Sequence, residues 1–281
     1  MGHVVGGLGI AHTPSMGHAF DGRKDVAFPE RWQRWFDGLA PVKRWIAELK
    51  PSHMVIIYND HLNYFDFSVY PTFAIGMAAK FPQADEGWGK RPLPDLDGDP
   101  GFSAPVATSL VSDGFDLTFC QELEIDHGIY SWLPCVVEPP WPMPILPIAV
   151  NMVMQPVPTA GRLHALGAAL RSAIADSPVD ARVLVVATGG MSHQIHGLRF
   201  GMTNQTFDQY FLDKITHDWR ELIAVPMTKV MQVAGTEAGE LAMWYAMRGA
   251  LSENVRQAYS FYILPEITGC GVVAIEERDG A

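Results

Sequence analysis

Residues 53–58, His-Met-Val-Ile-Ile-Tyr, form an almost unbroken apolar run. A half-buried strand would alternate apolar and polar positions, so this run reads as a parallel strand covered on both faces. Residues 3–11, rich in Val, Gly and Ile, read as another strand, as do Ile145 to Met152 and 182–187. Shorter strands are expected at 115–120, 258–264 and 270–275. Helical spacing fills the gaps. Pro41 opens a helix carrying Val42, Trp45, Ile46 and Leu49, and Pro51 stops it. Leu163, Leu166, Leu170 and Ile174 mark a second helix, and Phe207, Tyr210, Phe211 and Ile215 a third. Thr236 reads as the N-cap of a helix through about Arg248, ended by Gly249. Strands alternating with helices predict an α/β fold with helices on both sheet faces.

The chain has 281 residues, 48% of them hydrophobic and 18% charged, enough for a large core and too few charges for a disordered chain. It reads as a single domain over 1–281. The stretch from Ala84 to Pro105, dense in Pro, Gly and Asp, reads as a long loop excursion of the kind that covers pockets. The formal net charge is -11 and no Lys/Arg cluster occurs, so nucleic acid and anionic membranes are poor partners. Cys120, Cys135 and Cys270 are odd in number and far apart, which argues against a disulfide framework or a zinc-thiolate site and fits a reducing cytoplasm. No signal peptide, myristoylation pattern or membrane-spanning run is read from the sequence.

Three of the strand-like runs end near histidines. His12 follows Gly9-Ile10-Ala11, His61 follows Tyr58-Asn59-Asp60, and His193 closes the run from Val183. Open α/β sheets bind ligands at the carboxyl ends of their strands, so three imidazoles at one sheet edge would make a metal or acid–base site. His127, in Asp126-His127-Gly128, also follows a strand-like run. His3, His18, His53, His164, His196 and His217 read as surface or structural residues. Two imidazoles and one carboxylate make the facial set that holds non-haem iron(II) with open positions. The best carboxylate is Glu240, whose apolar neighbours imply burial and hence a need for a partner. The alternative is that Glu237 or Glu240 only favours a helix N-terminus. A glycine-rich turn is expected at Gly6-Gly7-Leu8-Gly9, but His12 stands where a dinucleotide fingerprint needs glycine. Gln194 likewise stands where a nucleophile elbow around Ser192 needs glycine.

Several stretches resemble one family in order along the chain. They are Ala11-His12-Thr13-Pro14, Tyr58-Asn59-Asp60-His61, Pro71 to Gly76, Ala84-Asp85-Glu86-Gly87-Trp88-Gly89, Asp126-His127-Gly128, Thr188 to Gln194, and Met243-Trp244 through Leu251. Together they resemble the LigB-like class III extradiol dioxygenases, the group of the protocatechuate 4,5-dioxygenase beta subunit and gallate dioxygenase. The resemblance implies a three-layer αβα fold around a mixed or mostly parallel sheet, Fe(II), and dioxygen as co-substrate. It also implies that His12, His61 and Glu240 hold the iron, that His193 is the catalytic acid–base, and that His127 is a second active-site histidine. An imidazole suits proton transfer because its ordinary pKa, about 6.5, lies near working pH.

Asn59 and Asp60 are read as fixing a ligand imidazole, with simple turn formation as the alternative. Thr13 is read as touching substrate or capping a helix. The resemblance implies, from the protocatechuate enzyme, that a ring carboxylate is read partly through a small polar residue in the loop after the strand at 259–264. Here that loop is Pro265-Glu266-Ile267-Thr268-Gly269, which leaves Thr268 as its hydroxyl and opens the prospect of a ring without that carboxylate. Protocatechuate, gallate, an alkylated gallate and a hydroxypyridone all stay open. A homo-oligomer, at least a dimer, is expected. A separate small helical alpha subunit is expected unless the pocket closes without one. The competing functions are a metal-binding homologue without oxygenase activity and zinc-dependent hydrolase or lyase chemistry on the same residues.

Overall fold

The computed structural model describes residues 2–23 and 26–278. Ten strands occur among them: β1 (His3–Ile10), β2 (His53–Tyr58), β3 (Phe73–Gly76), β4 (Lys80–Phe81), β5 (Leu96–Asp97), β6 (Thr118–Cys120), β7 (Ile145–Val150), β8 (Arg182–Thr188), β9 (Val255–Ile263) and β10 (Cys270–Glu277). Eight form one sheet in the order β6-β3-β7-β2-β8-β1-β10-β9, and β4 pairs with β5. The centre of the sheet, β7-β2-β8-β1, is parallel. β10 and β9 extend it antiparallel on one side, and β3 pairs antiparallel with β7 on the other.

Every residue of β2 is buried, as its unbroken apolar run predicts. Its side chains alternate between two cores. Val55 and Ile57 pack on one face of the sheet with the buried side of α6 (Ala160–Asp176), while Met54, Ile56 and Tyr58 pack on the other with α2 (Pro29–Leu49). The mixed sheet between two helical layers is the three-layer αβα architecture expected.

Three local expectations are corrected. The helix placed at Pro41 begins at Pro29, and Pro41 lies inside it. Trp32, Trp35, Leu39, Val42 and Ile46 make one continuous buried stripe, and that packing outweighs the hydrogen bond a proline removes. The excursion at 84–105 is not all loop. It contains β5 with the buried Leu96, and α3 (Pro100–Ser112) starts within it. The Asp99 side chain caps that helix by accepting from the Gly101 and Phe102 N–H groups, with Pro100 at the first helical position. Gly6 to Gly9 lie inside β1 rather than in a turn. A side chain at Gly9 would collide with the Trp244 ring, and one at Gly7 with Met247 and Leu251. These two glycines let α10 (Ala242–Gly249) lie directly against the strand.

Candidate metal centre and active-site pocket

The parallel centre of the sheet sends the carboxyl ends of its strands to one edge. His12 leaves β1, Asn59 and His61 leave β2, and His193 leaves the Gly189-Gly190 turn after β8. The antiparallel β10 starts at the same edge, where Thr268 bridges His193 across the backbone. Glu240 arrives from the far side of the sequence. The expected helix from Thr236 to Arg248 is instead a 3-10 segment, Thr236–Leu241, followed by α10. Gly235, before it, has φ 100°, and a side chain there would strike the His193 carbonyl. The chain passes His193 too closely for an ordinary α-helical start. The Thr236 hydroxyl donates to Glu237 at 2.8 Å rather than capping a helix.

His12 Nε2 and His61 Nε2 lie 3.2 Å apart. A Glu240 carboxylate oxygen lies 3.5 Å from His12 Nε2, and the other lies 3.6 Å from His61 Nε2. These separations are long for charge-assisted hydrogen bonds. They suit ligands of one ion, since two donors each about 2.1 Å from a metal and at right angles are about 3 Å apart.

The remaining atoms of these side chains are held by the fold. Thr188 donates its hydroxyl to the Gly128 carbonyl at 2.8 Å. It can therefore only accept from His12 Nδ1, which sets the His12 tautomer and leaves Nε2 with its lone pair. His61 Nδ1 donates to Asp126 Oδ2 at 2.9 Å, the carboxylate–histidine pairing that orients metal ligands. Glu240 Oε2 accepts the Gly190 N–H at 2.6 Å. The Asn59 amide nitrogen donates to Glu240 Oε1 at 3.3 Å and lies 3.0 Å from His61 Nε2.

The electrostatics ask for a cation. Burial opposes ionisation of Glu240, yet His12 and His61 beside it hold its carboxyl well below the usual range. Burial holds the His12 imidazole down at about 4, so it is neutral at physiological pH. Burial also opposes a charge on His61, but Asp126 and Glu240 outweigh it and raise that imidazole to about 10. Without a metal, a proton on His61 is the positive charge the carboxylates demand. A bound metal ion would take over that role and release the proton. Two imidazoles and an ionised carboxylate thus fit a divalent transition-metal ion.

His127 is the third imidazole of the cluster, with a ring nitrogen within 4.8 Å of those of His12 and His61. Its ring stacks on His61, with centroids 3.9 Å apart. Glu240, which carries the charge, is the better third ligand, and His127 stands beside the set. His193 Nδ1 donates to the Met191 carbonyl at 2.8 Å, which leaves Nε2 as the acceptor nitrogen.

These groups share a cleft of about 590 Å³ with Thr13, Pro14, Met152, Val153, Gln155, Ile195, His196, Met231, Glu237 and Thr268 among its walls. Thr13 lines the cleft and also caps α1 (Pro14–Phe20) through the Met16 N–H. Thr268 lines it too, whereas Glu266 turns away to accept from the Trp32 indole at 3.0 Å. Asp60 does not touch a ligand imidazole. Its carboxylate accepts the Asn63, Tyr64 and Phe65 N–H groups and shapes the turn. The orienting role belongs to Asp126, 65 positions further along than His61. His196, read as ordinary surface, stands in the cleft wall paired with Glu237 at 2.8 Å. The Ser192 hydroxyl donates to Asp208 at 2.6 Å.

A mixed α/β sheet with two histidines just beyond its strand ends and Glu240 brought beside them makes a candidate metal site at the carboxyl edge of the sheet. Residues 6–272 match the family described as the catalytic LigB subunit of aromatic ring-opening dioxygenase, and the chain belongs to that family. It is 40% identical over 202 residues to gallate dioxygenase of Pseudomonas putida, a match covering 70% of this chain and 59% of that relative. It is 32% identical over 202 residues to a 2,3-dihydroxyphenylpropionate/2,3-dihydroxicinnamic acid 1,2-dioxygenase of Mycolicibacterium smegmatis, covering 72% of this chain and 59% of the relative. The crystal structure of an uncharacterized Escherichia coli K12 protein, JW3007, shares the fold at a TM-score of 0.60 and 13% identity, over 97% of this chain and 99% of the other. Among the described residues no helix is long and apolar enough to cross a membrane.

Proposed function

We propose that this chain opens a catechol-like aromatic ring with dioxygen, as a non-haem Fe(II) extradiol dioxygenase acting through one catalytic domain over 1–281. The observation that carries this reading is the convergence of His12, His61 and Glu240 on one wall of a cleft that also presents His127 and His193. The relatives named for gallate and 2,3-dihydroxyphenylpropionate support a ring with neighbouring hydroxyls. His12, His61 and Glu240 would hold the iron. Bound there, ferrous iron would bring the two ring oxygens and dioxygen together and let electrons pass between them.

The protein side of the chemistry is proton handling and enclosure. His193 Nε2 takes the proton of a ring hydroxyl as the diol binds and later returns it to oxygen, a role suited to its fixed acceptor nitrogen. His127 assists proton transfer at a ring oxygen. Met152, Val153, Ile195 and Met231 give the ring an apolar wall and keep water from it.

Among the described residues no lysine or arginine lines the cleft. A ring carboxylate would therefore rely on donors such as the Thr268 hydroxyl rather than on an ammonium or guanidinium group. The test is oxygen uptake after anaerobic loading with Fe(II), across protocatechuate, gallate, an alkyl gallate and a hydroxypyridone. Uptake should be stoichiometric with ring loss and highest for a ring of the gallate type. No uptake with any ring would end the oxygenase reading, and metal analysis showing zinc in protein purified without oxygen would point to hydrolytic or lyase chemistry instead. The expected dimer and the separate small helical subunit belong to this same reading. Running the panel with and without that subunit, on protein of measured mass in solution, tests both.

A further inference from the structure

The stretch Ala84-Asp85-Glu86-Gly87-Trp88-Gly89 supplies no side chain to the His12–His61–Glu240 set, yet the fold aims it at His127, and Glu86 lies close to both His127 and Asp126. Gln83 pairs with Ile125 as an isolated parallel bridge. The Ala84 N–H donates to the Ile125 carbonyl, and the Ile125 N–H to the Pro82 carbonyl, each at 2.9 Å. This ties the stretch alongside the residues just before His127. Asp85 Oδ1 then accepts the N–H groups of Gly87 and Gly89, both at 3.0 Å. Those two glycines have φ 90° and 83°, left-handed values that make a tight turn around the Asp85 carboxylate. Trp88 anchors the turn by meeting the His18 ring edge-on, with centroids 5.2 Å apart. The turn leaves Glu86 pointing inward.

Glu86 Oε1 accepts the backbone N–H of His127 at 2.9 Å, and Oε2 lies 2.5 Å from His127 Nδ1. The side chains of Glu86 and His127 are 8% and 12% exposed, so water does little to weaken the contact. Glu86 faces a second, smaller hollow behind His127, shared with Gln83, Arg91 and Ser131, and it is not in the wall of the main cleft. His127 stands between the two hollows. A group on the far side of a histidine can act on substrate only through that histidine.

We infer that Glu86 is a positioning residue for His127: its carboxylate keeps a proton on Nδ1 and so decides which ring nitrogen is offered to the cleft. The inference rests on the reading of His127 as an active-site residue. A carboxylate can only accept, so Nδ1 must donate to it. The second acceptor oxygen on the backbone N–H stops the carboxylate from turning away. Glu86→Gln has nearly the same shape but one acceptor in place of two. Its amide oxygen takes the backbone N–H, its NH₂ faces Nδ1, and the preferred tautomer is reversed.

The experiment is a long-range ¹H–¹⁵N NMR spectrum of ¹⁵N-histidine-labelled, metal-free protein, with His127 assigned by the signals missing in His127→Ala. The wild type should show a proton on His127 Nδ1, and Glu86→Gln should lose it. Glu86→Asp, which keeps both acceptors, should retain it. A bare Nδ1 in the wild type overturns the inference whatever the variants do, as does a spectrum unchanged by Glu86→Gln. In the iron-loaded protein Glu86→Gln should lower kcat by about 10²-fold with KM changed less than about threefold and iron content constant, and Glu86→Asp should recover part of that loss. Iron lost in step with activity would show a merely structural role and overturn it. The spectrum needs no turnover, so an inert wild type would refute the ring-opening proposal without touching this one.

Discussion

The two halves of the cleft are built differently. The inner half is set on strand ends and on the short helical segments packed against them. His12, His61, His127 and Glu240 each have a second polar atom tied to Thr188, Asp126, Glu86 or the Gly190 N–H. The outer half comes from loops and the edge of α9 (Met227–Ala234), with Met152, Val153, Ile195 and Met231 as its apolar wall. Leu198 and Phe200, a few residues past Ile195 in the chain, are exposed. Buried polar groups demand fixed partners, whereas apolar contacts are non-directional. On the proposed reading, the inner half would set the reaction and the outer half would select what enters.

The comparison breaks most severely at the ligands. His12→Ala or His61→Ala should abolish iron retention after anaerobic reconstitution, as read by metal analysis. A variant with full iron and full turnover would remove that histidine from the inner half. Next in size is His193→Phe, which should keep iron and lose about 10²- to 10⁴-fold in turnover if general acid–base catalysis is its contribution. An unchanged rate would contradict the role. Asp126→Asn should weaken metal binding by about 10- to 100-fold in a chelator competition, because the amide orients His61 less firmly than the carboxylate. Equal affinity would mean that backbone packing alone holds His61. The smallest effects belong to the outer half. Met231→Ala or Thr268→Val should shift the ratio of kcat/KM between two rings by about tenfold, the scale of one or two methylene-sized contacts, with iron content constant. Equal losses on every ring would erase the distinction between the halves.

The inner half was partly legible in the sequence. His12, His61 and His193 stand out because buried parallel strands leave unmistakable apolar runs, and the residues just beyond them reach the sheet edge. Glu240 was nameable as the best carboxylate from its apolar neighbours, and the resemblance gave it a ligand's part, although a 3-10 segment hides it from any 3.6-residue periodicity. Of the orienting groups, Asn59 was named and does meet His61 and Glu240, but the carboxylate partner was not legible. Asp60 is next to His61 in sequence but bonds its own turn, and Asp126 does that work from a distant loop. Glu86 and Thr188 are invisible for the same reason, since each acts through a contact made only by the folded chain. Helix boundaries failed where local signals and packing disagreed, as at Pro41, which opens a helix by rule and sits within one by virtue of the stripe from Trp32 to Ile46.

The bare positions at Gly7 and Gly9 reach further than the strand that carries them. Because Trp244 and Met247 rest where side chains would otherwise be, the depth at which α10 docks is set by two missing methyl groups. Glu240 is the last residue but one before that helix. A single added carbon at Gly9 would lift the helix like a shim under a hinge and carry the carboxylate away from its two imidazoles, with no change to His12, His61 or Glu240 themselves.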